Sequence, residues 1–453
     1  MDINKFYERM KQILGEDEYE KFYSSLVCSH KKGLAFNSKK MQRENFLNNF
    51  EYSLKPLDLG EDNFVVKTED KMGGHILHHA GAFYMQEPSA MIAGFKLPLK
   101  KGYKVLDACA APGGKTFQIS KRLDGVLVSN EIELDRARIL NSNVERLGLS
   151  NVIITNMSPE ELGNSYVDKF DCVLVDAPCS GEGMFRKEDQ AIAQWSQDYV
   201  ELCAKRQKDI LTNVDKVLKE NGYLMYSTCT YSVEENEQVV AFLVDLGYQI
   251  IDLGEIDGSS SGIKIDGYNT HLSKRFYPHI SNGEGQFVCL LKKEKENNGF
   301  MPKPKPHKEV GRTELRILKE FFENNLSLGF YESIKDCLLQ RGDAFYYCKD
   351  KSLVTNDKKT LSLGVKLGVI IKNRFEPSHN LFTAFSSYFI RKVELTAKQA
   401  EDYIKGNTVL LDCDNGWCAV NYLGCCVGGG KMVNGVLKNH YPKGLRLINA
   451  KNQ

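Results

Sequence analysis

Short apolar runs alternate with longer amphipathic ones from residue 104 to residue 291. Residues 104–109 (KVLDAC) read as a buried strand and 115–123 as a helix. Residues 125–131 (GVLVSNE) read as a second strand and 134–147 as a second helix. Two further strands follow at 151–155 (NVIIT) and 170–177 (FDCVLVDA). Over 199–218, Val200, Cys203, Ile210, Val214 and Val217 recur at helical spacing. Residues 222–228 (GYLMYST) make the fifth strand, and 249–253 and 286–291 supply two more. Ser232 with Glu235 three residues on predicts a capping box that opens a helix. Strands this short and apolar, separated by helices, predict an α/β fold with a doubly wound parallel sheet. In such sheets ligands sit beyond the C-terminal strand ends, so the chemistry is sought there.

The flanks read differently. Residues 1–72 look like a small separate N-terminal unit, and the α/β domain covers 73–293. Residues 294–312 lie in the charged, proline-bearing stretch KKEKENNGFMPKPKPHKEVGR, which has linker composition. Residues 313–453 mix helix signals with Gly- and Asn-rich turns, and 409–447 read as short β hairpins. The run at 428–431 (GGGK) lacks the setting of a phosphate loop and reads as a turn.

Composition narrows the class. With 453 residues, 42% hydrophobic and 26% charged, the chain is neither mostly disordered nor a small disulfide scaffold. No apolar run approaches the ~18 residues of a membrane helix. The charged N-terminus lacks a signal-peptide core, so a cytoplasmic location is expected. Net charge is +1, but 36 basic residues face 44 acidic ones in 1–300, and 24 face 15 in 301–453. That asymmetry suggests an acidic partner such as nucleic acid for the basic part, with simple solubility as the alternative. Thirteen Cys without a secretion signal point to free thiols. Neither Cys413, Cys418, Cys425 and Cys426 nor the HILHH segment at 75–79 has metal-ligand spacing, so no metal is expected.

The strand ends carry the candidate chemistry. The first runs into Asp107-Ala-Cys-Ala-Ala-Pro-Gly-Gly-Lys115-Thr116, a small-residue loop before a helix N-terminus. It is neither G-x-G-x-x-G nor a phosphate loop, which argues against a dinucleotide or nucleoside triphosphate. A nucleoside carrying a carboxylate and a sulfonium suits it better, with a tight structural turn as the bland alternative. Glu131 closes the second strand, placed to accept hydrogen bonds from a ribose. The fourth ends in Asp176-Ala-Pro-Cys179-Ser-Gly-Glu-Gly and the fifth in Tyr226-Ser-Thr-Cys229-Thr. Two Cys beside one crevice, with an acid next to one of them, suggest an activated thiolate nucleophile.

These three motifs, with HHAGAFYMQEPSAM (78–91), Arg186-Lys187…Trp195 and Pro278-His279…Gly285-Gln286-Phe287, resemble the NSUN-type RNA cytosine-5 methyltransferases over about residues 73–293. The basic extension most resembles the bacterial RsmF-like branch. The resemblance implies a Rossmann-like class I methyltransferase sheet, an N-terminal accessory domain that binds RNA, and a C-terminal RNA-binding region with a PUA-like module near 392–453. It implies S-adenosylmethionine as cofactor. Cys109, Ala110, Ala111, Pro112, Gly113, Gly114 and Lys115 would wrap it, Glu131 would hold its ribose, and Arg136 would shape that pocket. Asp176 would lie between cofactor and target base, Cys229 would be the nucleophile, and Cys179 would assist product release. Where the family often has an acid near the adenine, this chain has Ser158, so Asn156 or Ser158 would substitute.

The implied chemistry follows from cytosine itself. Its C5 is a poor nucleophile until a thiolate adds at C6. Asp176 would stabilise the adduct through N3 of the base, which must leave its stack to be reached. Arg186 and Lys187 are candidate phosphate contacts, with a solvated surface pair as the alternative. Phe83 and Tyr84 could stack a base or fill the core. The expected partner is 16S ribosomal RNA or the small subunit, approached by a monomer. A tRNA substrate, or a non-catalytic ribosome-assembly factor retaining the fold, are the rival readings.

Overall fold

A computed structural model describes residues 3–297, 309–354 and 358–446. Its centre is a ten-stranded sheet. The strands are β1 (Lys104–Asp107), β2 (Val126–Asn130), β3 (Val152–Thr155), β4 (Phe170–Asp176), β5 (Leu218–Thr228), β6 (Tyr248–Ile251), β7 (Ser259–Ser261), β8 (Lys274–Phe276), β9 (Gln286–Lys293) and β10 (Thr360–Ser362). Five parallel strands run in the order 3-2-1-4-5. β9 joins antiparallel beside β5, and β6 and β8 both pair with β9. The predicted doubly wound parallel sheet is present, with antiparallel strands along both margins.

Strand periodicity explains why the sequence runs are uniformly apolar. Leu106, Val128, Val173, Val175, Leu224 and Tyr226 belong to one core. Val105, Leu127, Cys172, Leu174 and Met225 belong to another. Successive side chains point to opposite faces, and both faces are covered. The first core is covered by α6 (Gln197–Val217) through Ile210, Leu211, Val214 and Val217, and by α7 (Glu237–Asp245) through Val239, Val240 and Leu243. The second is covered by α3 (Gly114–Arg122) through Phe117 and Ile119, and by α4 (Leu134–Leu147) through Leu140, Val144 and Leu147.

Several expectations change. The small N-terminal sheet takes its fourth strand from Phe83–Gln86, paired with Lys32–Phe36, so that unit extends past residue 72. Phe83 and Tyr84 are accordingly buried, which removes them as base-stacking groups. Much of the expected linker, at 298–308, lies outside the described residues. The helix expected from Ser232 starts at Glu237 instead. The 428–431 run is part of the strand Cys425–Val433, not a turn. Its glycines make room for neighbours: a Cβ on Gly429 would lie 2.3 Å from the Phe382 ring, and one on Gly428 2.6 Å from the Tyr403 hydroxyl.

The C-terminal region is built into the rest. β10 pairs antiparallel with β3, with Thr360 opposite Thr155. Leu339, Tyr346, Cys348, Leu353, Val354 and Leu363 share the core of the central sheet. A five-stranded sheet from Lys392–Glu394 to Val436–Asn439 forms the β-rich end module. Its Val393, Tyr403, Cys418 and Val427 share one core with Leu34, Phe36 and Phe46 of the N-terminal unit. No helix among the described residues is long and apolar enough to cross a membrane.

Candidate active site

A cleft of about 930 Å³ opens beyond the C-terminal ends of the parallel strands. Cys109, Ala111, Glu131, Arg136, Ser158, Asp176, Cys179 and Cys229 all line it. The sites read separately from five strand ends thus meet in one cavity. Asn130, buried at the end of β2, draws three of these ends together. Its side-chain amide donates to the carbonyls of Ala108 and Met157 and accepts from Thr155 Oγ1 at 2.8 Å.

The loop after β1 wraps one wall and leads into α3, with Gly113 in a left-handed conformation (φ 115°) that favours glycine. Arg136 Nη2 donates to the Ala111 carbonyl at 3.0 Å, and its Nη1 lies 3.4 Å from Glu131 Oε2. Glu131 is 3% exposed and also accepts from its neighbour Glu133 N at 3.0 Å. Ser158 caps α5 (Pro159–Ser165) by accepting from Glu161 N. Asn156 shapes the wall from behind, donating to the carbonyls of Glu131 and Ile132. Burial pushes the Cys109 thiol far above its ordinary value, so it packs rather than reacts.

At the end of β4, Asp176 Oδ2 accepts at 2.6 Å from Nζ of Lys115, which stands in the first turn of α3. Burial works against the Lys115 charge, but Asp176 outweighs it and holds the ammonium above its ordinary pKa. The other carboxylate oxygen of Asp176 accepts from Ser227 Oγ at 2.6 Å, itself held by Gln286 Nε2 at 2.8 Å. Ion pair and hydroxyl together fix the carboxylate plane at the mouth of β4.

Cys179 and Cys229 face each other with their Sγ atoms 3.3 Å apart. The hydrogen bond to Cys229, together with burial, pushes the Cys179 thiol well above its ordinary pKa. The two sulfurs lie within hydrogen-bond distance, and either can be the donor.

The loops behind the sulfurs are fastened by groups that motif reading passed over. Asn236 brackets Cys229, accepting from Thr228 Oγ1 at 2.6 Å and donating to the Thr230 carbonyl at 3.0 Å. Gly183 N donates to the Cys229 carbonyl at 2.9 Å. Buried Glu182 accepts from Trp195 Nε1, Thr230 Oγ1 and Tyr231 N. Glu235 accepts from Ser180 N at 3.0 Å, Gln207 Nε2 at 2.8 Å and Ser232 Oγ at 2.9 Å. The residue read as a helix cap therefore ties the Cys179 loop to the Cys229 loop. The only local signal was two acids inside otherwise small-residue turns.

The N-terminal helices α1 (Ile3–Leu14) and α2 (Glu16–Leu26) brace the same loops. Phe6 packs edge-on against Phe185 and Trp195, and Arg9 pairs with Glu234 at 2.7 Å. Arg186 proves to be part of this brace. Its side chain is 6% exposed, its Nε and Nη2 bind Glu284 at 2.7 and 2.8 Å, and Nη1 donates to the Ser25 carbonyl. A guanidinium so engaged has no free fork for a phosphate. Lys187 lies 3.8 Å from Glu284 on the far side of that turn.

The cleft fits S-adenosylmethionine by its donor set. It combines a buried carboxylate at a β2 end, a second carboxylate at a β4 end, and apolar Ile132, Met157, Leu162 and Ile210 between polar rims. Ribose hydroxyls, a sulfonium and a purine ring need such groups.

Comparison with known proteins agrees. Residues 95–292 match the family described as 16S rRNA methyltransferase RsmB/F. Residues 3–88 match the N-terminal domain of 16S rRNA methyltransferase RsmF, and 390–447 the methyltransferase RsmF PUA domain. The ribosomal RNA small subunit methyltransferase F of Psychromonas ingrahamii is 31% identical over 83% of this chain and 81% of its own length. The protein of that name from Vibrio parahaemolyticus is 29% identical over 99% and 98%. Among solved structures, a methyltransferase homologue from Pyrococcus horikoshii has a TM-score of 0.55 and 26% identity, over 62% of this chain and 92% of that one. NSun6 from the same organism shares the fold at a TM-score of 0.55 and 21% identity, over 64% and 98%. With its catalytic sheet, its N-terminal unit and its end module all matched in order, the chain belongs to the RsmB/F family of 16S ribosomal RNA methyltransferases.

Proposed function

We propose that this chain methylates C5 of cytosine in small-subunit ribosomal RNA, as a cytoplasmic monomer, with Cys229 as the attacking group. The observation that carries the reading is the cleft in which two sulfurs 3.3 Å apart share space with the Lys115–Asp176 pair. Cys109 through Lys115, Glu131, Arg136 and Ser158 would hold S-adenosylmethionine, which when bound supplies an electrophilic methyl group.

Each protein group then has a task. Cys229 adds to C6 of the base as a thiolate, which makes C5 nucleophilic. Asp176 would lie toward N3: a proton handed from the Lys115 ammonium through the Asp176 carboxyl to N3 meets the adduct's charge, and it returns by the same route when the adduct collapses. Forming the C6–S bond removes the negative charge at Cys229. Cys179, once its own proton has passed to solvent, or a water molecule then takes the C5 proton; the C5–H electron pair re-forms the C5–C6 double bond, the C6–S bond breaks, and Cys229 leaves as a thiolate.

Incubating the protein with labelled methyl donor and, separately, small ribosomal subunits, naked 16S RNA and tRNA tests this. Label in 5-methylcytosine of 16S RNA supports the proposal. Label in tRNA alone transfers the chemistry to another RNA, and no label in any of them overturns it.

A further inference from the structure

A second depression, of about 390 Å³, lies between the N-terminal sheet and the turn that follows the Cys179 loop. Its walls carry His30, Lys31, Lys32, Lys71 and Lys187. These positive charges are largely uncompensated. Lys31 and Lys32 bond neutral oxygens, of the Asn282 side chain and of the Thr68 backbone. Lys71 has no ion pair among the described residues. The carboxylate near Lys187, Glu284, is already matched by the bidentate Arg186. Burial, and next to it Lys187, push the His30 ring below its ordinary pKa, which reflects the same crowding of positive charge. Of the two acids in the wall, Glu87 is occupied by Glu284 N, Ala90 N and Ser89 Oγ. Asp70 keeps one oxygen, Oδ2, buried without a partner.

One turn of chain separates the depression from the catalytic cleft. Met184 and Glu188 line the cleft, while Lys187, between them in sequence, lines the depression. Gln86 lines the depression and presses against the loop that carries Lys115, since a Cβ on Gly114 would lie 2.9 Å from its Cδ. Its amide oxygen is buried and unpartnered.

We infer that this basic depression is a subsite for the substrate strand next to the target cytosine, with Lys31, Lys71 and Lys187 receiving its phosphodiester backbone. It rests on the reading of the cleft as the site of RNA methylation. Lysine ammonium groups at an open depression suit phosphates as point charges, and they position the strand without reading its sequence.

The test uses the full chain with Lys31→Gln/Lys71→Gln and, separately, Lys71→Glu. Binding of fluorescein-labelled oligocytidylate is measured across a salt series, together with KM and kcat on the methylated RNA. S-adenosylhomocysteine affinity serves as a check on folding. The double variant should bind roughly ten-fold more weakly, and its log–log salt slope should fall by about 0.7 for each phosphate no longer neutralised. Charge reversal at Lys71 should exceed neutralisation, with KM rising and kcat retained. Unchanged oligonucleotide affinity and slope overturn the inference, as does a loss confined to assembled subunits, which indicates a protein partner. Wild type that methylates no RNA defeats the function reading instead, a result distinct from wild type and variants behaving alike.

Discussion

The Sγ atoms of Cys179 and Cys229 lie 3.3 Å apart, although 50 residues separate them in the chain. The roles proposed for them predict opposite outcomes when each is removed. Cys229→Ala should bind RNA and S-adenosylhomocysteine but lose methyl transfer by at least ~10³-fold. Cys179→Ala should form the C6 adduct and fail to release it. It should therefore accumulate a protein–RNA complex that survives a denaturing gel. The opposite pattern exchanges the two roles.

Gly183 sets the distance between the two loops. A Cβ there would lie 2.6 Å from the Gly285 carbonyl oxygen and 2.8 Å from that of Cys229, both backbone atoms. Gly183→Ala must push Cys229 aside, destabilising the fold by about 1–3 kcal/mol. Chemical denaturation reads the stability. Single-turnover kinetics should show kcat falling by more than KM rises, because the displaced atom is the nucleophile's own backbone.

Asp107 gives a pH signature. It is fully buried, accepts a hydrogen bond from Thr116 Oγ1 at 2.7 Å, and burial pushes its carboxyl up to about 7. Unfolded, it titrates near ~3.9. The folded state holds the proton more tightly, so this residue's contribution is intact below about pH 4 and is lost as pH rises through 7. Asp107→Asn removes that loss. Urea unfolding at pH 5 and pH 8 should show the variant gaining on wild type by about 2–3 kcal/mol between those values. A constant difference across pH would mean that the carboxyl is not the titrating group.

The C-terminal region should not be removable. β10 covers the open edge of β3, Asn156 N donates to the Lys359 carbonyl at 2.7 Å, and six apolar side chains from 339 to 363 fill the central core. Ending the chain before Arg312 exposes a paired edge and an apolar face together, which favours aggregation. Size-exclusion chromatography of the shortened chain should find it aggregated. A monodisperse, S-adenosylhomocysteine-binding fragment contradicts this.

What the chain determined by itself was local. Helix and strand periods, and small-residue loops at strand ends, depend on near neighbours, so the doubly wound parallel sheet and the cleft residues Cys109, Glu131, Asp176, Cys179 and Cys229 were readable from the sequence, whereas the strand order 3-2-1-4-5 was not. The tertiary structure decided which partner each polar group takes. Arg186, exposed in a linear reading, meets Glu284 98 residues away and is buried. Glu235, a cap by spacing, fastens Ser180 instead, and the glycines at 428–430 sit in a strand that Phe382 and Tyr403 press against. The physical reason is one of range: periodicity is set by residues a turn apart, whereas desolvation, ion pairing and close packing are set by whatever the folded chain brings alongside.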